Sequence, residues 1–215
     1  MNIDAYLNEK YGIHKYLMEQ KKNGRIKHLG FSTHGSIDVI KRFLEAYETD
    51  IEFCQIQLNY MDWKFQNAEG KVALLQKHNI PIWVMEPLRG GSLAKLPGDA
   101  AVVLQERYPK TEFVEWAYRF LQSIRGVTVV LSGASSLEQM KQNIHFFEQD
   151  RPFDVSEMQT LLSTAETLRN IHKEIVPCTA CRYCVTHCPQ GLNIPWLLEL
   201  YNEHVFTGGG FIAPM

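Results

Sequence analysis

Between Arg25 and Phe147, short runs rich in β-branched and aromatic residues alternate with longer stretches whose apolar residues recur every three or four positions. The short runs, Ile26–Ser32 (IKHLGFS), Glu52–Tyr60 (EFCQIQLNY), Ile80–Glu86 (IPIWVME) and Gly126–Ser132 (GVTVVLS), read as strands. Each is followed by a helical pattern: Ser36–Glu48, Asn67–His78, Thr111–Ser123 after a stretch broken by Gly and Pro, and Ser136–Glu148. In the last of these, Ser135 or Ser136 stands ahead of Glu138 and Gln139 with the spacing of a capping box. Strand and helix alternating four times predict an α/β fold with a parallel sheet. Before the first strand, Asp4–Asn23 reads as one helix closed by Gly24, and Asp154–Lys173 and Ile194–His204 read as two more helices near the end.

Four βα units fit either half of an eightfold barrel or a small open sheet wound on both faces, and in both folds ligands sit at the carboxyl ends of the strands. Those ends are rich in side chains that hydrogen-bond a heterocyclic amide. Ser32 and Thr33 close the first strand, Gln55, Gln57 and Asn59 alternate along one face of the second, Glu86 and a Pro-Leu-Arg-Gly-Gly loop close the third, and Gly133 to Ser136 follow the fourth. No G-x-G-x-x-G follows a strand, so the phosphate loop of a Rossmann fold is missing.

Composition removes several classes. With 45% hydrophobic and 21% charged residues, the 215-residue chain needs no disulfide framework to build a core. Its 22 basic and 24 acidic side chains leave no electrostatic footprint for nucleic acid or an anionic membrane. The N-terminus has no apolar stretch behind a basic start, and no run is long enough to span a bilayer, so a cytoplasmic protein with a small-molecule ligand is expected.

Four of the five cysteines fall in Cys178-Thr-Ala-Cys181-Arg-Tyr-Cys184-Val-Thr-His-Cys188-Pro. The spacing C-x2-C-x2-C-x3-C-P lets three thiolates wrap one corner of an iron–sulfur cubane while the fourth leaves in another direction, as in bacterial ferredoxins. Zinc sites more often use two cysteine pairs separated by a longer loop, which makes zinc the lesser reading. Cys188 either completes the cluster or serves a second one.

The ordered segments GRIKHLGFSTH, FCQIQLNYMD, IPIWVMEPLRGGSL and VVLSGASSLEQMKQN resemble the second half of an aldo/keto reductase, a TIM-barrel oxidoreductase that uses NADPH. With PCTACRYCVTHCPQGLNIP behind them, the subfamily resembled is the one with a C-terminal 4Fe–4S ferredoxin-like domain. The resemblance implies the last four βα units of a TIM barrel over residues 1–150, a linking helix over 151–176 and a partial ferredoxin-like segment over 177–215. It implies that Ser32, Thr33, Gln55 and Gln57 face the nicotinamide amide and that Met85 packs on the nicotinamide ring. Leu88, Arg89, Gly90 and Gly91 would lie along the pyrophosphate, and Gly133, Ser135, Gln139 and Asn143 round the adenosine phosphate. Many relatives place Lys or Arg at two of those positions, where this chain has Gly133 and Gln139, so NADP and NAD both remain open as cofactor. Cys178, Cys181, Cys184 and Cys188 would ligate the cluster, although the second cysteine run usual in the subfamily is missing downstream.

The family reaction also needs an Asp, Tyr, Lys and His set at the ends of the first four strands. Those strands would precede Met1, so the chain is expected to be a fragment that carries cofactor positions, has no catalytic residue of its own and is inactive alone. The function implied is NADP(H)-linked hydride transfer between a carbonyl and an alcohol, with a possible redox partner for the cluster. The alternative is a non-enzymatic ferredoxin-like electron-transfer or binding module. Three weaker signals read as structural. Tyr60 and Lys64 have the spacing of a short-chain dehydrogenase pair but lack its Gly-rich turn, His34 reads as a solvated loop residue, and Cys54 as a packing residue. Trp116 to Phe120 reads as one helix face laid over the outside of the barrel.

Overall fold

The computed structural model describes residues 3–96, 98–171, 176, 178 and 182–206. Four strands, β1 (Gly30–Thr33), β2 (Phe53–Gln57), β3 (Ile82–Met85) and β4 (Val127–Val130), form one parallel sheet in chain order. Ser32 lies opposite Gln55, Gln55 opposite Trp83 and Val84 opposite Val130. Among the described residues the sheet is four strands wide, with β1 and β4 at its edges.

Alternation along β2 and β3 divides the side chains between two faces. Cys54, Ile56, Ile82 and Val84 are fully buried in one cluster with Ile40 and Leu44 of α3 (Ile37–Tyr47), Val72 and Leu75 of α5 (Ala68–Lys77) and Phe120 of α7 (Phe113–Gln122). Each such aliphatic side chain contributes about 1.5–3 kcal/mol on burial, so this face holds the sheet to its helices. The other face carries Phe53, Gln55, Gln57, Trp83 and Met85, all half-buried. There the Phe53 ring stacks on Trp83 at 3.8 Å. It also lies against the β1 backbone so closely that a Cβ at Gly30 would come within 2.5 Å of it. A side chain at that position would force the Phe53 ring off its place on Trp83.

The βα alternation matches the reading of the sequence, and the departures have local causes. The single N-terminal helix expected over Asp4–Asn23 is instead α1 (Ile3–Leu7), a 3₁₀ turn (Glu9–Tyr11) and α2 (Ile13–Lys22). Asn8 accepts a hydrogen bond from the Lys10 amide at 3.0 Å, and Gly12 at φ 58° turns the chain out of helical geometry. The first strand starts later than Ile26 because the Arg25 and Ile26 amides are drawn to the Gln20 carbonyl at 3.0 and 3.3 Å, and the residues next to Gly30 gather round one side chain. Lys21 and His28 both pair with the Glu52 carboxylate, which also receives the Leu29 amide at 3.4 Å. These hydrogen bonds, Lys21 first, pull the Glu52 pKa down to about 2.

Within the βα units two helices were not expected: α4 (Asp62–Phe65) and α6 (Gly98–Arg107), the latter within the stretch read as broken by Gly and Pro. Ser136 is the residue that caps α8 (Leu137–Glu148), in a complete capping box with Gln139. The helix face expected over Trp116 to Phe120 is a correction of a different kind. Every residue from Val114 to Leu121 is buried, because α7 is covered outside as well as inside.

The outer cover includes α9 (Val155–Ile171), the helix read as a linker. Arg119 of α7 donates to Glu157 at 2.7 Å and to the Arg151 carbonyl at 2.8 Å, and its guanidinium lies 4.5 Å from the centre of the Phe153 ring. Arg107 of α6 donates to Ser156 at 2.9 Å. The chain therefore leaves the βα units on a helix packed against them. Beyond it, α10 (Tyr183–Thr186) and α11 (Ile194–Phe206) belong to the cysteine segment.

Candidate functional site

A cavity of about 590 Å³ opens at the carboxyl ends of β3 and β4. Of the positions expected to contact a cofactor, Met85, Leu88, Gly90, Gly91, Gly133, Gln139 and Asn143 line it together. Glu86, Pro87, Ala94, Val114, Leu131, Ser132, Ala134 and Gln142 complete the wall. Ser32, Thr33, Gln55, Gln57 and Ser135 lie outside it. Gln55 is nonetheless joined to it, since its Nε2 donates to the Met85 sulfur at 3.6 Å. Thr33 is buried and accepts the Gly35 amide at 2.9 Å, while Ser32 is exposed on the edge strand.

Asn143 forms part of the floor through a relay. Its Oδ1 accepts from the Tyr118 hydroxyl at 2.9 Å and its Nδ2 donates to Ser132 Oγ at 2.8 Å. Burial raises the Tyr118 pKa, and a hydrogen bond with Ser132 opposes the shift. Gln139 is turned back on its own helix, where Oε1 accepts the amides of Ser135 at 2.8 Å and Ser136 at 3.3 Å. Gly133 has no heavy atom within 4 Å of where a Cβ would stand, so the wall is open at that point.

The loop after β3 is backbone-strained. Glu86 at φ 57° and Arg89 at φ 48° both adopt the left-handed region, which costs a non-glycine residue about 1–3 kcal/mol. Gly90 and Gly91 follow at φ 63° and 90°. The Gly90 amide donates to the Glu86 carboxylate at 2.6 Å, so the loop closes on its own first residue.

What holds this strained loop is a carboxylate that the sequence reading passed over. Asp62 is completely buried at the start of α4. Its Oδ2 accepts from Gln57 Nε2 and from Asn59 Nδ2, both at 2.7 Å, and its amide donates to Asn59 Oδ1 at 2.8 Å. The second Asn59 N–H goes to the Glu86 carbonyl at 3.0 Å, and Arg89 Nε reaches Asp62 Oδ1 at 3.4 Å. A fully buried charge persists only when paired and hydrogen-bonded, and Asp62 meets that condition through the end of β2 and the loop after β3 together. Gln57, expected to face a cofactor, gives its amide to Asp62. Lys71 is buried on α5; desolvation lowers its pKa, while the charge of Asp62 opposes the shift. The signal in the sequence was a single Asp in the apolar run LNYMDW, three residues after an Asn.

His34 stands at the end of β1, where burial first and the Lys71 charge next lower its pKa, with Glu86 acting in the opposite sense. Tyr60 is 1% exposed and packs edge-on against Phe120, while Lys64 pairs with Glu69, so these two do not form a catalytic pair. The Cys54 thiol is buried and its pKa is pushed far up by desolvation, as fits a packing residue.

In the cysteine segment, Cys178 and Cys188 are half-buried and Cys184 is exposed on α10, none of them in a disulfide. Cys181 lies outside the described residues. Cys188 Sγ accepts the Leu192 amide at 3.4 Å. Among the described residues, no three His, Cys, Asp or Glu side chains stand close enough to hold a metal. No described helix is long and apolar enough to cross a membrane.

Residues 9–166 match the model of the aldo/keto reductase family. The chain belongs to that family. Solved structures agree. The aldo-keto reductase AKR11C1 from Bacillus halodurans, in its holo form, is 27% identical with a TM-score of 0.56 over 68% of this chain and 53% of its own. Its apo form gives the same identity and TM-score over 68% and 54%. A thermostable aldo-keto reductase, Tm1743, in complex with the inhibitor epalrestat, shares the fold at 19% identity and a TM-score of 0.57, over 69% of this chain and 52% of its own. This aldo/keto reductase chain thus spans about half the length of the solved relatives it matches. A search of curated proteins finds no match.

Replacing Asp62 by Ala leaves Gln57, Asn59 and Arg89 without their shared acceptor. Urea denaturation should show a loss of about 3–5 kcal/mol, the usual effect of removing one partner from a buried charge cluster. Asp62→Asn should lose less, because it keeps one acceptor oxygen. Unchanged midpoints for both variants would show that the loop does not depend on this carboxylate.

Proposed function

We propose that the chain supplies the dinucleotide-binding part of an aldo/keto reductase that transfers hydride from NAD(P)H to a carbonyl, in the balance carbonyl + NAD(P)H + H⁺ → alcohol + NAD(P)⁺. The supporting observation is that seven positions expected from sequence to contact the cofactor surround one cavity at the strand ends. In this reading the loop from Leu88 to Gly91 lies along the pyrophosphate, its glycines permitting close backbone approach. Gly133 and Ala134 leave room for the adenosine, and the Tyr118–Asn143–Ser132 relay fixes that wall. Met85, held by Gln55, presents a polarisable thioether to the nicotinamide ring. The four βα units then form the second half of a barrel, and a small carbonyl or alcohol is the substrate.

The cofactor, when bound, supplies the hydride; the proton must come from a protein group. Among the described residues that line the cavity there is no Tyr, Lys or His. The chain alone is therefore expected to bind dinucleotide without reducing carbonyl substrates above background. Gly133→Phe tests the location, since a Cβ there meets no heavy atom within 4 Å and the side chain starts from the cavity wall. Calorimetric titration with NADH and NADPH should show binding that this variant weakens at least about tenfold, the effect of one lost contact group of about 1.4 kcal/mol. Equal binding by wild type and variant would place the cofactor elsewhere, and no binding by wild type would remove the reading.

We propose further that Cys178, Cys181, Cys184 and Cys188 hold a 4Fe–4S cluster in a cytoplasmic protein, where reduced thiols are available. The ligand chemistry fits, with none of the described cysteines in a disulfide and a backbone amide on Cys188. Such a cluster would exchange electrons with a redox partner or hold the tail in place. Anaerobic reconstitution should give stoichiometric iron and sulfide, and Cys181→Ser should abolish it. If Cys188 completes the cluster, Cys188→Ser will be as damaging. Stoichiometric zinc without sulfide would overturn the assignment.

A further inference from the structure

A second cavity, of about 340 Å³, lies between α4 and α9 and shares no described lining residue with the dinucleotide cleft. Both of its walls are fixed from behind. Asp62, the first residue of α4, is locked to Gln57 and Asn59, and α9 is tied to α7 and α6 through the Arg119–Glu157 and Arg107–Ser156 contacts. On α9, Leu162, Ala165 and Arg169 recur at helical spacing, so one face of that helix supplies both apolar wall and charge.

Burial orders the lining by depth. Tyr60 and Met61 are buried, Leu162 is half-buried, and Lys64 and Glu166 are exposed, so the apolar end is inside and the charges stand at the mouth. The Tyr60 hydroxyl is buried with no hydrogen-bond partner among the described residues. Burial raises its pKa, so it stays a neutral O–H. An unmet buried hydroxyl is costly, and a ligand oxygen that meets it removes that cost. At the mouth, Lys64 pairs with Glu69 at 2.5 Å and Arg169 with Glu166 at 3.5 Å, both carboxylates on solvent-exposed side chains. Exposed pairs of this kind contribute little, so an incoming carboxylate can take over either cation. Lys64 and Arg169 against Glu166 leave the described lining with a surplus of one positive charge.

We propose that this cavity binds a small carboxylic acid with an apolar body and a hydroxyl at its far end, the carboxylate on Arg169 and Lys64 and the hydroxyl on Tyr60. The volume stands at the small end of the range for ligand sites and suits a single ring or a short chain. Two walls that are already held in place lower the ordering cost of such binding.

The test is calorimetric titration of the full chain with para-hydroxybenzoate and with benzoate, which lacks the far hydroxyl. Wild type should bind para-hydroxybenzoate with a Kd of about a millimolar or tighter and prefer it to benzoate about fivefold, the usual effect of one hydrogen bond. Tyr60→Phe should abolish that preference and leave benzoate binding intact. Its urea midpoint should not fall, because the lost hydroxyl had no partner to lose. Arg169→Gln should weaken both acids about tenfold, with Lys64→Gln taking its place should circular dichroism show that it does not fold. Gly133→Phe, in the dinucleotide cleft, should change neither acid, which separates this site from that reading. No saturable binding by wild type, equal binding of the two acids, a lower urea midpoint in Tyr60→Phe, affinities that the loss of a mouth cation leaves unchanged, or binding lost in Gly133→Phe would each overturn the assignment.

Discussion

The site depends on one buried carboxylate. Asp62 has no contact with solvent, so its charge must be met wholly by neighbours, and those neighbours come from one strand end and a loop. Gln57 and Asn59 bring the end of β2, Arg89 brings the loop, and Asn59 passes a second hydrogen bond to the Glu86 carbonyl. Two non-glycine residues in that loop sit at positive φ, a conformation that persists only where surrounding bonds over-determine it. Moving the loop would break the partners of a buried charge, which is why a segment so rich in glycine keeps a single shape.

That fixed shape decides which groups the cleft presents. Arg89 is the nearest cation in sequence to the glycines, yet it answers Asp62 and stands outside the cavity wall. The second wall follows the same logic by a different route. The Tyr118–Asn143–Ser132 relay and the Gln139 cap satisfy polar groups internally, so the wall is preorganised with few unpaired donors. Preorganisation of this kind lowers the ordering cost of binding.

The order of elements was legible in the sequence because burial on one face of β2 and β3 writes a period of two, and the covering helices write a period near four. Ser136 and Gln139 were legible because a capping box is a local pattern. Seven cleft residues could be named in advance because a family resemblance carries loop positions that periodicity cannot. The break at Gly12 was hidden by an apolar pattern that continues on both sides of it. The complete burial of α7 was hidden for another reason: Arg119 and Glu115 look like a solvated face until α9 and the Arg151 segment cover them. Asp62 could not have been found by composition alone. A buried carboxylate is recognisable only once its partners are seen to converge, and Gln57, Asn59 and Arg89 are spread over thirty-odd residues.

The central claim is that the loop fixed by Asp62 and the wall fixed by Asn143 together form the dinucleotide cleft. Amide NMR of the full chain during titration with NAD⁺ tests it most directly, because each wall contributes identifiable backbone signals. Shifts concentrated at Leu88 to Gly91 and Ser132 to Ser135, with the rest of the sheet unmoved, are the predicted result. Shifts confined to the Phe53–Trp83 face or to the cysteine segment, with the loop after β3 silent, would contradict it.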